Sequence, residues 1–173
     1  DRGLRERARV GELAGGPTVV LMAGQKFGTS NAPERTWVMN TLVPAIVAER
    51  VAKSRIVVFS TGCVYPFVSA DGPGSREGDA LGPPGEYANS CVGRERVFTH
   101  FAKQHGTRAL MFHLCYAIDL RYGVLGAVSQ KVAQGFPVEV TVSAGNVYWQ
   151  GDASGPPPTC TADHAAPPAR PPH

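Results

Sequence analysis

Three segments of this 173-residue sequence place polar side chains directly beside short apolar runs. The first is Ala23-Gly24-Gln25-Lys26, which follows Thr18-Val19-Val20-Leu21-Met22. Gly24 lets a ligand come close to the backbone, and Lys26 offers a positive charge to a phosphate or a ribose hydroxyl. Taken alone, this is more simply an ordinary strand-to-loop turn with a surface lysine. The second is Ser60-Thr61-Gly62-Cys63-Val64-Tyr65, where a hydroxyl pair ends an apolar run. Such a pair can hydrogen-bond a hydroxyl or carbonyl of a substrate, or merely cap a turn. The third is Glu86-Tyr87-Ala88-Asn89-Ser90-Cys91, at the start of a long helical pattern. Tyr87 and Cys91 stand four apart, so they share one helix face. A phenol there can exchange a proton with a bound oxygen, or it can be a half-buried aromatic with a satisfied hydroxyl.

The elements that must position these groups are legible. Thr18 to Ala23 is short, β-branched and bounded by Gly and Pro, which predicts a buried strand. A helix is expected from Ala32 to about Ala52, with Asn31 as its cap, Pro33 in the first turn and Glu34 three residues after the cap. Pro44 removes a backbone donor from its middle and predicts a kink. Arg55 to Ser60 is a second strand. A long Gly/Pro/Ser-rich connection from about Pro66 to Gly85 has a length often associated with function. Glu86 to His105 is a helix closed by Gly106 in a left-handed cap. Arg108 to Cys115 is a third strand, Leu125 to Gln134 a helix ended by Gly135, and Val138 to Val142 and Asn146 to Gln150 short strands. Residues 3–14 form a further loose helical pattern. The alternation predicts an α/β fold, a parallel Rossmann-like sheet with crossover helices. In such sheets ligands bind at the carboxyl ends of the strands, where all three polar segments fall.

In this order and spacing the segments resemble the extended short-chain dehydrogenase/reductase family, whose best-known members are the NAD-dependent epimerases and dehydratases of nucleotide sugars. Ala23-Gly24-x-Lys26, Ser60-Thr61-Gly62-Cys63-Val64-Tyr65 and the helix-borne Tyr87 carry the resemblance. Tyr116-Ala117-Ile118-Asp119-Leu120-Arg121-Tyr122-Gly123 and Asn146-Val147-Tyr148-Trp149-Gln150-Gly151-Asp152 extend it, so that it spans roughly residues 18–153. The resemblance implies that Thr61 orients and polarises a substrate oxygen. It implies that Tyr87 exchanges a proton with that oxygen while hydride moves to or from NAD or NADP. Ala23, Gly24 and Lys26 fall at the cofactor-contacting loop, together with Ser60, and Asn40 falls at an asparagine of the following helix. Cys63, His113 and Cys115 fall at substrate-contacting positions. The family also pairs the helices near 32–52 and 86–105 with those of a second copy, which implies a homodimer.

Three departures from the pattern matter. The family's lysine, four residues after the tyrosine, is Cys91 here, and a neutral thiol supplies no field to lower a phenol that ordinarily titrates near ~10. Lys26 and Arg94 are the candidate substitutes. Many relatives carry Arg and Asn where this chain has His113 and Cys115. No Gly-x-x-Gly-x-x-Gly occurs in the sequence, and Gly15-Gly16 precedes a strand rather than following one. The resemblance therefore implies a chain that starts just before the family's fourth strand and lacks the turn that holds a pyrophosphate. A catalytically inactive remnant, acting at most as a dimerisation or binding module, is the competing reading.

Composition narrows the classes further. Seventeen Lys+Arg against fourteen Asp+Glu gives a net charge of +3, spread along the chain, so no nucleic-acid partner is expected. No apolar run approaches the ~20 residues of a membrane span. Four cysteines without CxxC spacing predict free thiols, no metal and a cytoplasmic setting. The Pro/Ala-rich stretch 154–173 predicts a disordered tail behind one partial domain, 1–153. Replacing Lys26 with alanine is expected to weaken calorimetric binding of NADH; unchanged affinity removes Lys26 from the site.

Overall fold

The computed structural model describes residues 17–26, 28, 31–119, 124–138, 145 and 147–151. These divide between two compact units. The first holds residues to Phe67 together with Gly78–His113, and the second holds Val68–Glu77 and the described residues from Leu114 onward.

In the first unit, β1 (Thr18–Leu21) pairs in parallel with β2 (Arg55–Thr61), with Thr18 opposite Arg55 and Leu21 opposite Val58. β3 (Ala109–Leu114) lies on the other side of β2, giving the order β1-β2-β3. Arg55 donates to Pro17 and Ile56 to Arg108, so both neighbours are fastened at the amino end of β2. Between β1 and β2 the chain is helical throughout 33–50. It begins as α1 (Pro33–Trp37), passes through a π-helical turn (Val38–Leu42) and continues as α2 (Val43–Arg50). Between β2 and β3 stands α3 (Gly85–His105).

The alternation of the strands builds the core. Leu21, Ile56 and Val58 are buried against Val47, Ala48 and Val51 of the first helical stretch and Phe98 of α3. Val19, Ala109 and Met111 pack at the margin of the same cluster. Both helices thus cover one face of the sheet, as expected for successive right-handed crossovers running in one direction. The helices meet closely at Gly93, where an added Cβ would stand 2.7 Å from Thr41 Oγ1 and 3.3 Å from the Trp37 ring.

The Pro44 expectation is met by a change of helix type. The π turn lies immediately before the proline, and the Val43 N–H reaches Val38 O across it. Pro44 has no N–H, so the carbonyl of Asn40 lacks its usual α-helical donor. That vacancy matters at the site below. The expected Asn31 cap is not formed: Ala32 is the N-cap, without a side-chain bond, and Thr36 returns to the Ala32 carbonyl through both N–H and hydroxyl. Gly106 closes α3 in the left-handed region at φ 66°, as the sequence predicts. Trp37 is 39% exposed.

In the second unit, β4 (Tyr116–Ile118) pairs in parallel with β5 (Val147–Trp149), and α4 (Val124–Ala133) lies between them in sequence. The expected helix at 3–14, most of the strand at 138–142 and the tail from 154 fall outside the described residues. Among the described residues, no helix is long and apolar enough to cross a membrane.

Gly93→Val should lower stability by about 1–3 kcal/mol, because the Thr41 and Trp37 contacts leave no room for the new side chain. Gly126→Ala, with nothing within 4 Å of the added Cβ, should instead add about 0.5–1 kcal/mol. Urea denaturation of the two variants checks the pair.

Candidate functional site

The carboxyl ends of β1 and β2 and the first turns of α3 converge on two adjoining clusters, one structural and one chemical. The structural cluster centres on Asn40, which is fully buried on the π-helical turn. Its Oδ1 accepts from the Gln25 N–H at 2.7 Å and from Arg94 Nη2 at 2.9 Å. Its Nδ2 donates to Gln25 O at 2.9 Å and to Ser90 Oγ at 2.9 Å. An amide can make four such bonds, and here it makes all four. Arg94 Nε donates to the Asn40 carbonyl at 3.3 Å, the group Pro44 leaves without an α-helical partner. Arg94 Nη1 donates to Phe59 O at 2.8 Å. One guanidinium thus joins β2, the π turn and α3.

Gly24 owes its identity to this packing. An added Cβ would stand 2.5 Å from Arg94 Nη2 and 3.1 Å from Asn40 Oδ1. The inner side of Gly24 is filled by the guanidinium, while the residue itself, like Ala23 and Lys26, is exposed.

The chemical cluster is Thr61, Tyr87 and Cys91. Thr61 is buried at the end of β2, where its Oγ1 accepts from the Cys63 N–H at 3.2 Å. The Tyr87 hydroxyl lies close enough to the Thr61 hydroxyl and the Cys91 thiol for both to act on its titration. Ser90 Oγ donates to Tyr87 O at 2.7 Å, which links the position of the tyrosine to Asn40 through one hydroxyl. Burial pushes the Tyr87 phenol up from 10 to about 12. The Cys91 thiol and, more weakly, the Cys63 thiol add to that rise, and the Thr61 hydroxyl opposes it. Cys91 is fully buried and its thiol is also pushed up by burial, with the Arg94 charge pulling the other way. The buried arginine beside this cluster therefore acts on Cys91, and Tyr87 remains a neutral phenol at ordinary pH.

A third group lies on the side of α3 toward β3. Ser60 Oγ donates to Glu95 Oε1, and His113 Nε2 stands 3.1 Å from the same oxygen. Tyr65 OH is 2.9 Å from His113 Nδ1. Glu95 accepts from both sides, so its bond to His113 fixes Nε2 as the protonated nitrogen. Of the candidate positions, the structure brings Thr61, Tyr87 and Cys91 together and joins Asn40 to the loop bearing Gly24. It places Ser60 and His113 on Glu95. Cys63 is exposed on the 3-10 turn Gly62–Val64. Cys115 is exposed and belongs to the second unit. Ser90 and Glu95 escaped the sequence reading. Their one signal was helical spacing, since Tyr87, Cys91 and Glu95 recur every four residues and Asn40 needs a partner one position before Cys91.

A dinucleotide is tested by what these residues offer it. The Ala23–Gly24 backbone is exposed after β1, and Thr61 and Tyr87 stand at the carboxyl end of the neighbouring β2. The ribose side does not fit, because Cys91 turns its thiol to Tyr87 and offers no cation. Among the described residues, no group of three or more His, Cys, Asp or Glu side chains could hold a metal ion.

No family model and no curated protein matches the sequence. Solved structures do match. RMD from Pseudomonas aeruginosa, complexed with NADPH, is similar with a TM-score of 0.70 at 19% identity over 85% of this chain and 57% of that one. UDP-glucuronic acid 4-epimerase from Bacillus cereus, in complex with UDP-glucuronic acid and NAD, gives 0.70 at 12% identity, over 86% and 49%. The dTDP-glucose 4,6-dehydratase DesIV from Streptomyces venezuelae, a double mutant with NAD bound, gives 0.69 at 19%, over 88% and 49%.

Tyr87 generates a pH prediction. Its folded value lies above its unfolded one, so its contribution to stability is complete below pH 10 and is lost as the pH rises toward about 12. Tyr87→Phe should flatten the fall of the urea midpoint in that alkaline window, and an unchanged slope contradicts the burial of the phenol. The chain thus spans about half the length of the solved proteins it matches, and across that half it has the fold of NAD-dependent epimerases and dehydratases.

Proposed function

We propose that this chain carries the proton-transfer half of an NAD(P)-dependent epimerase, dehydratase or reductase site acting on a hydroxyl or keto group, with nucleotide sugars as the substrate class. The observation that carries this reading is the nearness of the Tyr87 hydroxyl to Thr61 at the carboxyl end of β2. Thr61 would orient the reacting oxygen. Tyr87 would give a proton to that oxygen when a carbonyl is reduced, or accept one when a hydroxyl is oxidised. A nicotinamide, if held here, would supply the hydride acceptor or donor, and the exposed Ala23–Gly24 backbone and Lys26 are the residues that would hold it. The UDP-glucuronic acid and NAD held by the Bacillus cereus epimerase support both the substrate class and the cofactor.

A phenol pushed up to about 12 is protonated at neutral pH but is a weaker acid than an ordinary tyrosine, so it is a reluctant proton donor as well as a scarce base. At neutral pH its phenolate fraction is about 10⁻⁵, and this fraction rises tenfold with each pH unit. The same observation supports a second reading, a module that binds or dimerises without turnover. Trp37, Val38 and Leu42, exposed together on one helical stretch, would then serve as the surface for a second copy.

Cys91→Lys separates the two readings. An ammonium beside the phenol should lower the Tyr87 titration by more than about one unit, read as phenolate absorbance against Tyr87→Phe. It should also raise turnover of UDP-sugars with NAD at neutral pH. Restored titration without NADH binding or turnover in either form would favour the non-catalytic module.

A further inference from the structure

The amino ends of the strands in the first unit gather charge that the sequence scatters. Arg50 ends α2, Lys53 lies on the turn to β2, Arg55 opens β2, and Arg108 stands just before β3. All four line one cleft of about 1120 Å³, with Glu49 as the acidic residue among the described lining and His105 beside them. Backbone and side-chain bonds fix the frame. The Arg55 N–H donates to Pro17 O at 3.1 Å and the Ile56 N–H to Arg108 O at 2.9 Å. The Thr107 hydroxyl donates to Ala52 O, which ties the turn after α3 to the turn after α2.

The charge of the whole chain resides here. The sequence holds seventeen Lys+Arg and fourteen Asp+Glu; without the four cations and Glu49 of the cleft, thirteen of each remain. The net charge of +3 is therefore that of this one place. Arg50, Lys53, Arg55 and Arg108 are exposed, and Arg50, Lys53 and Arg55 make no ion pair among the described residues. The helices answer part of this charge. α2 and α3 both finish at the cleft, and each carboxyl end carries about half a negative charge. Two such ends leave roughly two positive charges uncompensated. A single carboxylate brings one negative charge and leaves the cleft cationic.

The form of the ligand follows from the arrangement. The cations come from separate points of the chain and rim one hollow, which suits a compact multivalent anion better than an extended polymer. Three of the four are arginines, whose planar forks pair two N–H groups with the oxygens of a phosphate.

We propose that the cleft at the amino ends of β1, β2 and β3 binds a compact polyphosphate anion, two or more linked phosphate groups, through Arg50, Lys53, Arg55 and Arg108. Arg55 and Thr61 stand at opposite ends of β2, about 20 Å apart at the rise of a strand, so this site is separate from the proposed reaction.

Calorimetric titration of the full 173-residue chain with magnesium-free inorganic tripolyphosphate at low salt tests this. One site with a Kd of about 10–100 µM is expected, weakening as salt is added. Arg50→Gln combined with Arg55→Gln should weaken binding by more than about tenfold. Arg35→Gln combined with Arg96→Gln removes the same charge from exposed helix positions outside the cleft and should change it by less than about twofold. Glu49→Gln should tighten binding about threefold. Circular dichroism verifies that the variants fold. Adenosine triphosphate bound as tightly as tripolyphosphate assigns the cleft to the phosphate chain alone, and tighter binding adds a nucleoside to the ligand. No binding at about 5 mM tripolyphosphate, or equal weakening by both arginine pairs, overturns the proposal. A short single-stranded RNA held more tightly than tripolyphosphate by the same arginines also overturns it, by assigning the surface to a polymer.

Discussion

The first unit depends on one buried side chain, the amide of Asn40. Burying an amide costs several kcal/mol unless its hydrogen bonds are replaced, and Asn40 replaces all four. Two of those bonds hold the backbone of Gln25, one holds Ser90 on α3, and one holds the Arg94 guanidinium. Arg94 in turn reaches Phe59 on β2. The loop after β1, the π turn, the end of β2 and the start of α3 are therefore positioned by a single amide–guanidinium knot. Its position follows from Pro44, whose missing N–H leaves the Asn40 carbonyl to Arg94. Among the described residues, no buried side-chain donor or acceptor lacks a partner.

This knot explains both what the site retains and what it lacks. Ser90 passes the placement of Asn40 to the backbone of Tyr87, and Tyr87 meets Thr61 at the end of β2. The geometry of a proton-transfer pair is thus held by groups that do not themselves react. The positive charge of Arg94 is directed at carbonyl oxygens, at the Asn40 amide oxygen and at Cys91. A phenol needs a cation at its own oxygen to titrate near neutrality, and at the position that would supply it stands a buried neutral thiol. Shape and electrostatics have separated in this chain.

The strand–helix alternation was legible because each element carries its own period and punctuation. Thr18–Leu21, Arg55–Thr61 and Ala109–Leu114 are short apolar runs between breakers, and Gly106 stops α3 where expected. The Thr61–Tyr87 pair was legible as a family pattern, and Cys91 as its exception. The Asn40 knot was not, because its bonds join residues 15, 50 and 54 positions apart, and no local pattern reports such pairings. The same holds for Glu95, which collects Ser60 and His113 from two strands. The π turn was foreshadowed by Pro44 as a kink, but the way a helix absorbs a missing donor is settled by its tertiary neighbours. The Trp37–Glu86 bond, indole N–H to carboxylate at 2.5 Å, likewise joins residues 49 positions apart and left no local signal.

Hydrogen exchange at the Gln25 amide tests the knot most directly. Gln25 lies in the loop beyond β1, where a free amide would exchange in seconds or less, yet its N–H is bonded to the buried Asn40 Oδ1. The account predicts that Gln25 is protected as strongly as the interior amides of β2 in the wild-type chain, and that Asn40→Ala removes this protection. Exchange of Gln25 at the rate of an unstructured peptide in the wild-type chain would contradict it.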